Sequence, residues 1–415
     1  MTDDQQREFG RRVKEFRKRA GLDQQGLAGR LGKSASWVSQ VERGAIPVKR
    51  LDALRALADQ LGVALHQLEP SLPAAAPEEL PSPSATNDLD GARLLISGHP
   101  ALDVLLPGRG SEQDSAPSTA DLARRVETVW DLAHQSAFVE LTTNLQTLVP
   151  ALERAARVAT GDDRVTVLRL LARTYQALAA AFVRQDEADA AWIAADRAIR
   201  AAEASGQPLE VCAAIYRLVH AFVRLKHLDQ AEYAARTAVQ TLRDHIADRS
   251  PTPEEHSVLG SLHLVLALVH ARAGRRSAAK AELDEARGVA RELGADRNDF
   301  NLEFGPTNVE IQAVATAVDL GDAGEAIDIG ESLNTEGLSA ERQARLLMDL
   351  GRAYVQRRQA GEALDCLLRA EGLAPELLRT HVAARSAIRE LVLLAGTAAP
   401  EELRALAERA DAQDS

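Results

Sequence analysis

Apolar positions follow two regimes along this chain. Over residues 4 to 69 they form short clusters parted by glycines; from about Asp121 onward they recur on long helical periods rich in alanine and leucine. In the first regime Phe9, Val13 and Phe16 fall at i, i+4 and i+7, one stripe that predicts a helix from about Asp4 to Ala20, stopped by Gly21. Asp23 is placed to cap a second helix that turns Leu27, Ala28 and Leu31 inward and ends at Gly32. Ser34 caps a third helix, which buries Val38 and Val41 and ends at Gly44. Leu51, Leu54, Leu57, Leu61, Val63 and Leu68 supply closing helices, giving five in all. Two helices joined by a short glycine-containing turn make a helix-turn-helix.

The pattern lapses between residues 71 and 120. "PSLPAAAPEELPSPSATND" and "PGRGSEQDSAPST" have a linker's composition, and between them "ARLLISGHPALDVLL" is apolar enough to dock on something. Beyond it the chain reads helix, short break, helix, with breaks near Gly161, Gly206, Pro251, Gly274, Gly294, Gly321, Gly337, Gly361 and Pro400. Such connections predict antiparallel pairs.

One unit fits a repeat. Leu347, Leu350, Gly351, Tyr354, Ala363, Leu367, Ala370 and Pro375 stand at the spacing of a tetratricopeptide (TPR) repeat, which it resembles if Leu replaces the usual Trp and the second-helix aromatic. Gly351 and Ala363 would let the two helices approach closely. Looser copies surround Ala191, Ala231 and Ala279. These anchor alanines are not evenly spaced, so loops and helices must vary in length. The expected fold class is all-α: an amino-terminal five-helix domain (1–70), a flexible linker with an apolar insert (71–120) and a TPR-like α-solenoid (121–415). A generic helical bundle is the alternative for the last part.

Composition narrows the setting. Hydrophobic residues make up 46% but aromatics only 3%, so alanine and leucine must fill the core. Two cysteines, Cys212 and Cys366, offer no paired spacing for a disulfide framework or a zinc site, which fits a reducing cytosol. The opening "MTDDQQREFG" has no secretion-signal core, and the apolar run near "LHLVLALVHA" is far short of a membrane span. A cytoplasmic protein without membrane contact is expected. The net charge is −12, yet residues 1–70 hold 13 Lys+Arg against 9 Asp+Glu, a net of +4, leaving −16 for the remainder. A basic head on an acidic body suggests that the head alone meets a polyanion.

The first segment carries more. Gln24, Leu27-Ala28, Gly32, Ser34-Ala35-Ser36 and Val38-Ser39-Gln40-Val41-Glu42-Arg43-Gly44, followed by "LDALRALADQLGV", closely resemble the XRE family, the Cro and lambda-repressor type of DNA-binding domain, over about residues 5 to 69. Gly26 and Gly29 depart from it inside helix two, each costing on the order of 1 kcal/mol relative to alanine. The resemblance implies that Gln24, Lys33 and Ser34 bond DNA phosphates and that helix three lies in the major groove. Ala35, Ser36, Ser39 and Gln40 would face base edges, where Gln can bond adenine twice and Ala can meet a thymine methyl. Trp37 and Arg43 would sit against the sugar–phosphate backbone, and Arg17 would pair with Glu42 to orient the reading helix. Lys49 and Arg50 look like backbone contacts, and equally like a solvated pair. With few bidentate readers one domain should bind weakly, so a homodimer on half-sites about 34 Å apart, or a multiple of that, is expected. The solenoid or the linker's insert would supply the dimer contact.

No catalytic motif appears: GxSxG, HExxH and GxxxxGK[ST] are all missing, so no enzyme and no cofactor are expected. His256, His263 and His270 share a helical face, but successive members stand roughly 10 Å apart along the axis and cannot share one metal. They read as ordinary surface or groove histidines. The architecture resembles XRE regulators with a TPR-like sensor from Gram-positive bacteria, and "FGPTNVEIQAVATAVDLGDAGEAIDI" looks like a segment of actinobacterial regulators of this build. That resemblance implies a peptide or small-molecule effector on the concave face. Thr307 and Asn308 would cap a helix or reach into that groove. Two functions are in play: a DNA-binding transcriptional regulator, or a TPR adaptor for a protein partner whose small domain only localises it.

Overall fold

The computed structural model describes residues 3–20, 22–31, 33, 35–46, 48, single positions between 54 and 68, 88–99, 117–335 and 338–412. The chain divides into two units, Met1–Thr86 and Asn87–Asp414, with Ser415 grouped with the first.

The first unit contains α1 (Asp3–Arg19), α2 (Gln24–Leu31) and α3 (Ala35–Glu42). Phe9, Val13, Leu27, Ala28, Val38 and Val41 are buried together with Leu54, Leu57, Ala58, Leu61 and Leu68. The predicted stripes therefore make one core. The Asp23 cap is present, its carboxylate accepting from the Gly26 N–H at 2.6 Å. Gly21, Gly32, Ser34, Lys49 and Arg50 lie outside the described residues.

The second unit opens with α4 (Asp90–Ser97), part of the insert expected to dock. It packs Leu89, Ala92 and Ile96 into the solenoid's first core, against α6 (Phe138–Val158) and α8 (Ala188–Ser205). Arg197 donates to the Ile96 and Gly98 carbonyls at the end of α4.

The solenoid consists of α5 (Thr119–His134) with α6, α7 (Gly161–Arg184) with α8, α9 (Pro208–Arg224) with α10 (Leu228–Ile246), and α11 (Pro253–Arg272) with α12 (Arg276–Leu293). There follow α13 (Pro306–Asp319) with α14 (Ala323–Ser332), α15 (Ala340–Gln356) with α16 (Ala360–Leu373), the short α17 (Pro375–Thr380), and α18 (Val382–Ala395) with α19 (Glu401–Arg409). First helices pack on first helices of neighbouring pairs, and each second helix from α6 to α14 packs on its own partner and on the first helix of the next pair.

Six of these pairs share one turn. Ser136, Asp186, Lys226, Gly274, Gly321 and Arg358 each take a left-handed φ between 56° and 78°. The residue after each donates to a carbonyl five back, as in Glu187 to Phe182 and Gln359 to Tyr354, both 2.9 Å. This is the Schellman helix end. Five positions after each left-handed residue stands a fully buried anchor: Leu141, Ala191, Ala231, Ala279, Ala326 and Ala363. The repeat is thus constant across its turn and irregular elsewhere. Gly361, expected at a break, lies in the first turn of α16, and Arg358 makes the turn. At Gly351 a Cβ would come 2.9 Å from Leu367 Cγ, which is the close approach the TPR spacing predicts.

Candidate nucleic-acid interface

α3 has two faces. Val38 and Val41 enter the core, and Ala35, Ser36 and Arg43 are exposed, with Ser39 and Gln40 half-exposed beside them. Lys33 is exposed in the turn before it. Gln40 reaches only its neighbour one turn back, Nε2 to Ser36 Oγ at 3.5 Å, and Arg43 donates to the Ser39 carbonyl at 3.2 Å. These short or loosely held side chains leave donors and acceptors available on the outer face. Trp37 is half-buried against the core and keeps part of its ring at the surface.

A buried carboxylate fixes the pitch of this helix. Glu42, the last residue of α3, accepts from Arg17 of α1, Nε to Oε1 at 2.5 Å and Nη2 to Oε2 at 3.2 Å. Arg17 also donates to the Leu22 carbonyl at 2.6 Å. Burial pushes the Glu42 carboxyl up, but the Arg17 and Gln24 hydrogen bonds outweigh it and hold the group below its ordinary range. Arg17 is correspondingly held above its own, chiefly through Glu42. Gln24, expected at a phosphate, turns its amide nitrogen inward to Glu42 at 2.7 Å. α1, α2 and α3 therefore meet at one carboxylate. The sequence missed Gly10: a Cβ there would lie 2.4 Å from the Val41 carbonyl oxygen and 2.6 Å from that of Glu42, so only glycine lets α1 cross α3 this closely.

The second unit gathers a different chemistry on its first helices. Arg217 of α9 covers the Trp130 ring of α5 at 5.2 Å and the Tyr216 ring at 5.1 Å, and donates to the Asn301 carbonyl at 2.7 Å. Arg184 of α7 reaches Glu341 of α15 at 2.7 Å, and Arg345 binds the same carboxylate at 2.9 Å. The second pair thus touches the sixth, which folds the inner layer round a groove. Arg342 pairs with Glu303 at 3.3 Å. Burial first, then the neighbouring arginines, push His220 and His381 down to about 3. Burial likewise lowers Arg184, to about 10, and Arg217. None of these groove residues was singled out in the sequence. The signal was there: Tyr216, Arg217, His220 and Arg224 put a polar stripe on one face of an otherwise apolar helix.

Thr307 and Asn308 sit in a capped turn. The Asp296 carboxylate accepts from the Thr307 N–H at 3.1 Å, Phe304 is fully buried and Asn308 is 9% exposed. His263 and His270 correct the surface reading. Both are buried where α11 meets α12, His263 Nδ1 lying 2.6 Å and His270 Nε2 4.0 Å from the two oxygens of Glu282. His256 meets Glu292 of the same helix at 3.1 Å. Among the described residues no group of three or more metal-ligating side chains is placed to hold an ion, and no helix is long and apolar enough to cross a membrane. A separate cavity of about 920 Å³ lies between α14, α15 and α16, lined in part by Leu346, Leu350, Tyr354 and Cys366.

Residues 8–70 match the family model of a helix-turn-helix domain. No curated protein matches the chain. Among solved structures it is similar to Bacillus thuringiensis PlcR in complex with the peptide PapR7 and DNA, at 13% identity over 69% of this chain and 96% of that one, with a TM-score of 0.29. At that score the likeness carries no functional weight.

Proposed function

We propose that this protein is a sequence-specific DNA-binding transcriptional regulator of the Cro and lambda-repressor type, without catalytic activity, acting in the cytoplasm as a homodimer. The observation that carries the reading is the outer face of α3, where short polar and methyl-bearing side chains stand on a helix locked by the Arg17–Glu42–Gln24 cluster. A reading helix must be held rigidly to position hydrogen bonds on base edges. Ala35, Ser36, Ser39 and Gln40 read bases; Lys33, Ser34, Trp37, Arg43, Lys49 and Arg50 lie along the phosphates. The solenoid's groove, rich in arginine and aromatic rings, is the effector site, and its occupancy sets DNA affinity.

Selection from a randomised duplex pool by the full-length protein tests this. A recovered inverted repeat, with half-sites about one helical turn apart or a multiple of it, is the expected result. An unselective pool, or selection that survives deletion of residues 1–70, contradicts it.

A further inference from the structure

Among the described residues Arg217 has no close counter-ion; Glu303 and Glu341 act on it only from beyond ion-pair distance. Among the described residues Arg184 and Arg345 share Glu341, and Arg342 has Glu303, but no carboxylate lies within ion-pair distance of Arg217. Its Nε is buried without an acceptor. One peptide carbonyl and two ring faces are its partners. Buried charges are ordinarily paired, because an unpaired one forfeits hydration with nothing in return.

The loop that supplies the carbonyl is itself strained. Phe300, Asn301 and Glu303 all take left-handed φ near 54°, although none is glycine. Each such residue costs on the order of 1 kcal/mol or more and persists only where its surroundings enforce it. The loop is pinned at its base by the Arg297 N–H bond to the Phe304 carbonyl at 2.8 Å. Its product is a carbonyl that grips one edge of a guanidinium and leaves another edge unfilled.

The local charge runs against the composition. The chain is acidic overall, at −12, yet this part of the groove turns four guanidiniums toward two carboxylates. His220, stacked edge-on to Tyr216 at 4.7 Å, is kept uncharged here by burial and by Arg217, Arg224 and Arg345. Partial burial of Tyr216, Arg217 and His220 lowers the effective dielectric and strengthens the field on any ligand that enters.

We propose, resting on the reading of the groove as the effector site, that it takes a small organic acid or phosphate ester whose carboxylate or phosphate group is bound by Arg217 and Arg345. A guanidinium offers planar, paired donors that match either anion. Tyr216 and His220, both only partly buried, give ring surface for the carbon skeleton beside it.

The test uses full-length protein and calorimetric titration with three probes: phenyl phosphate, 3-phenylpropionate and the neutral 3-phenylpropanamide. At least one acid is expected to bind saturably, with the amide at least tenfold weaker. Arg217→Met should weaken the acid at least tenfold, and Arg217→Lys, which keeps charge but loses the fork, should fall between. Thermal unfolding establishes that Arg217→Met stays folded despite losing the Asn301 hydrogen bond. If it fails to fold, Arg217→Lys alone decides. Equal binding of acid and amide, no acid binding, or unchanged acid affinity in the foldable Arg217 variants overturns the proposal. DNA affinity measured in the same samples separates the two readings. Acid bound through Arg217 with no change in DNA affinity sinks the effector reading and leaves the anion site standing. A neutral compound that alters DNA affinity without competition from acid does the reverse.

Discussion

Arg17 and Glu42 form a buried ion pair, 2.5 Å apart with side chains 8% and 3% exposed, that joins the first helix to the end of the third. The contact sits behind the reading face and touches nothing outside the protein. Its removal should therefore act on DNA binding only through the helix it holds. Removing one partner of a buried pair costs about 3–5 kcal/mol. Arg17→Met and Glu42→Gln should each reduce hydrogen-exchange protection across α1–α3 by that order in the full-length protein. The double variant should recover part of the loss. Unchanged protection in the single variants would show that the pair is not what orients α3.

Gly10→Ala adds one methyl group facing the Val41 and Glu42 carbonyls. Backbone cannot retreat as a side-chain tip can, so α1 and α3 must separate. A loss of at least about 2 kcal/mol is expected, in the range of overpacked cores. DNA affinity should fall although residue 10 contacts no DNA. Full stability and affinity in this variant would contradict the crossing described here.

His220 and His381 should make stability depend on pH. Both are held down to about 3 in the folded chain, whereas in the unfolded chain they take up protons below about 6.5. The unfolded state then binds more protons, so stability falls as pH drops from 6.5 toward 3. The slope is at most about 1.4 kcal/mol per pH unit for each histidine. His381 also accepts the Ala384 N–H at 3.2 Å, a cap it keeps only while neutral. Denaturant titrations at pH 7 and pH 5 should differ in the parent and differ less in a His220→Gln, His381→Asn variant, the remainder coming from His134 and His270, which burial also lowers. Equal differences in both proteins would remove these two rings from the account.

Lys226 occupies the left-handed position that Gly274 and Gly321 fill in sister turns, with φ of 61°. Lys226→Gly should relieve that strain and stabilise the solenoid by up to about 1 kcal/mol, whereas Lys226→Val should destabilise it by more. Thermal unfolding of the two variants checks the sign. A destabilising glycine would mean that the turn is not strained.

The stripes Phe9–Val13–Phe16 and Val38–Val41 were legible because helical period and core face coincide in a small domain. Arg17–Glu42 was legible through resemblance, since spacing alone cannot bring residues 25 apart in sequence together. The solenoid was legible where anchors are alanines. The copies around Leu141 and Ala326 went unnamed all the same, because the turns closed by Ser136 and Gly321 lead into pairs with weaker signatures. The turns themselves hid because Asp186, Lys226 and Arg358 adopt a backbone state that composition assigns to glycine. The groove hid for a different reason. Trp130, Arg217 and Arg345 lie on separate helices and meet only when the superhelix folds round.

The central claim is that the exposed side of α3 reads sequence. The most direct measurement compares the full-length protein with a Ser36→Ala, Gln40→Ala variant on the selected duplex and on an unrelated duplex, at one salt concentration. Each lost base contact is worth about 1–3 kcal/mol of discrimination. The variant should lose at least tenfold in its preference for the selected site while its affinity for unrelated DNA stays within about twofold, since phosphate contacts dominate that term. An unchanged preference would contradict the assignment of α3 as the reading helix.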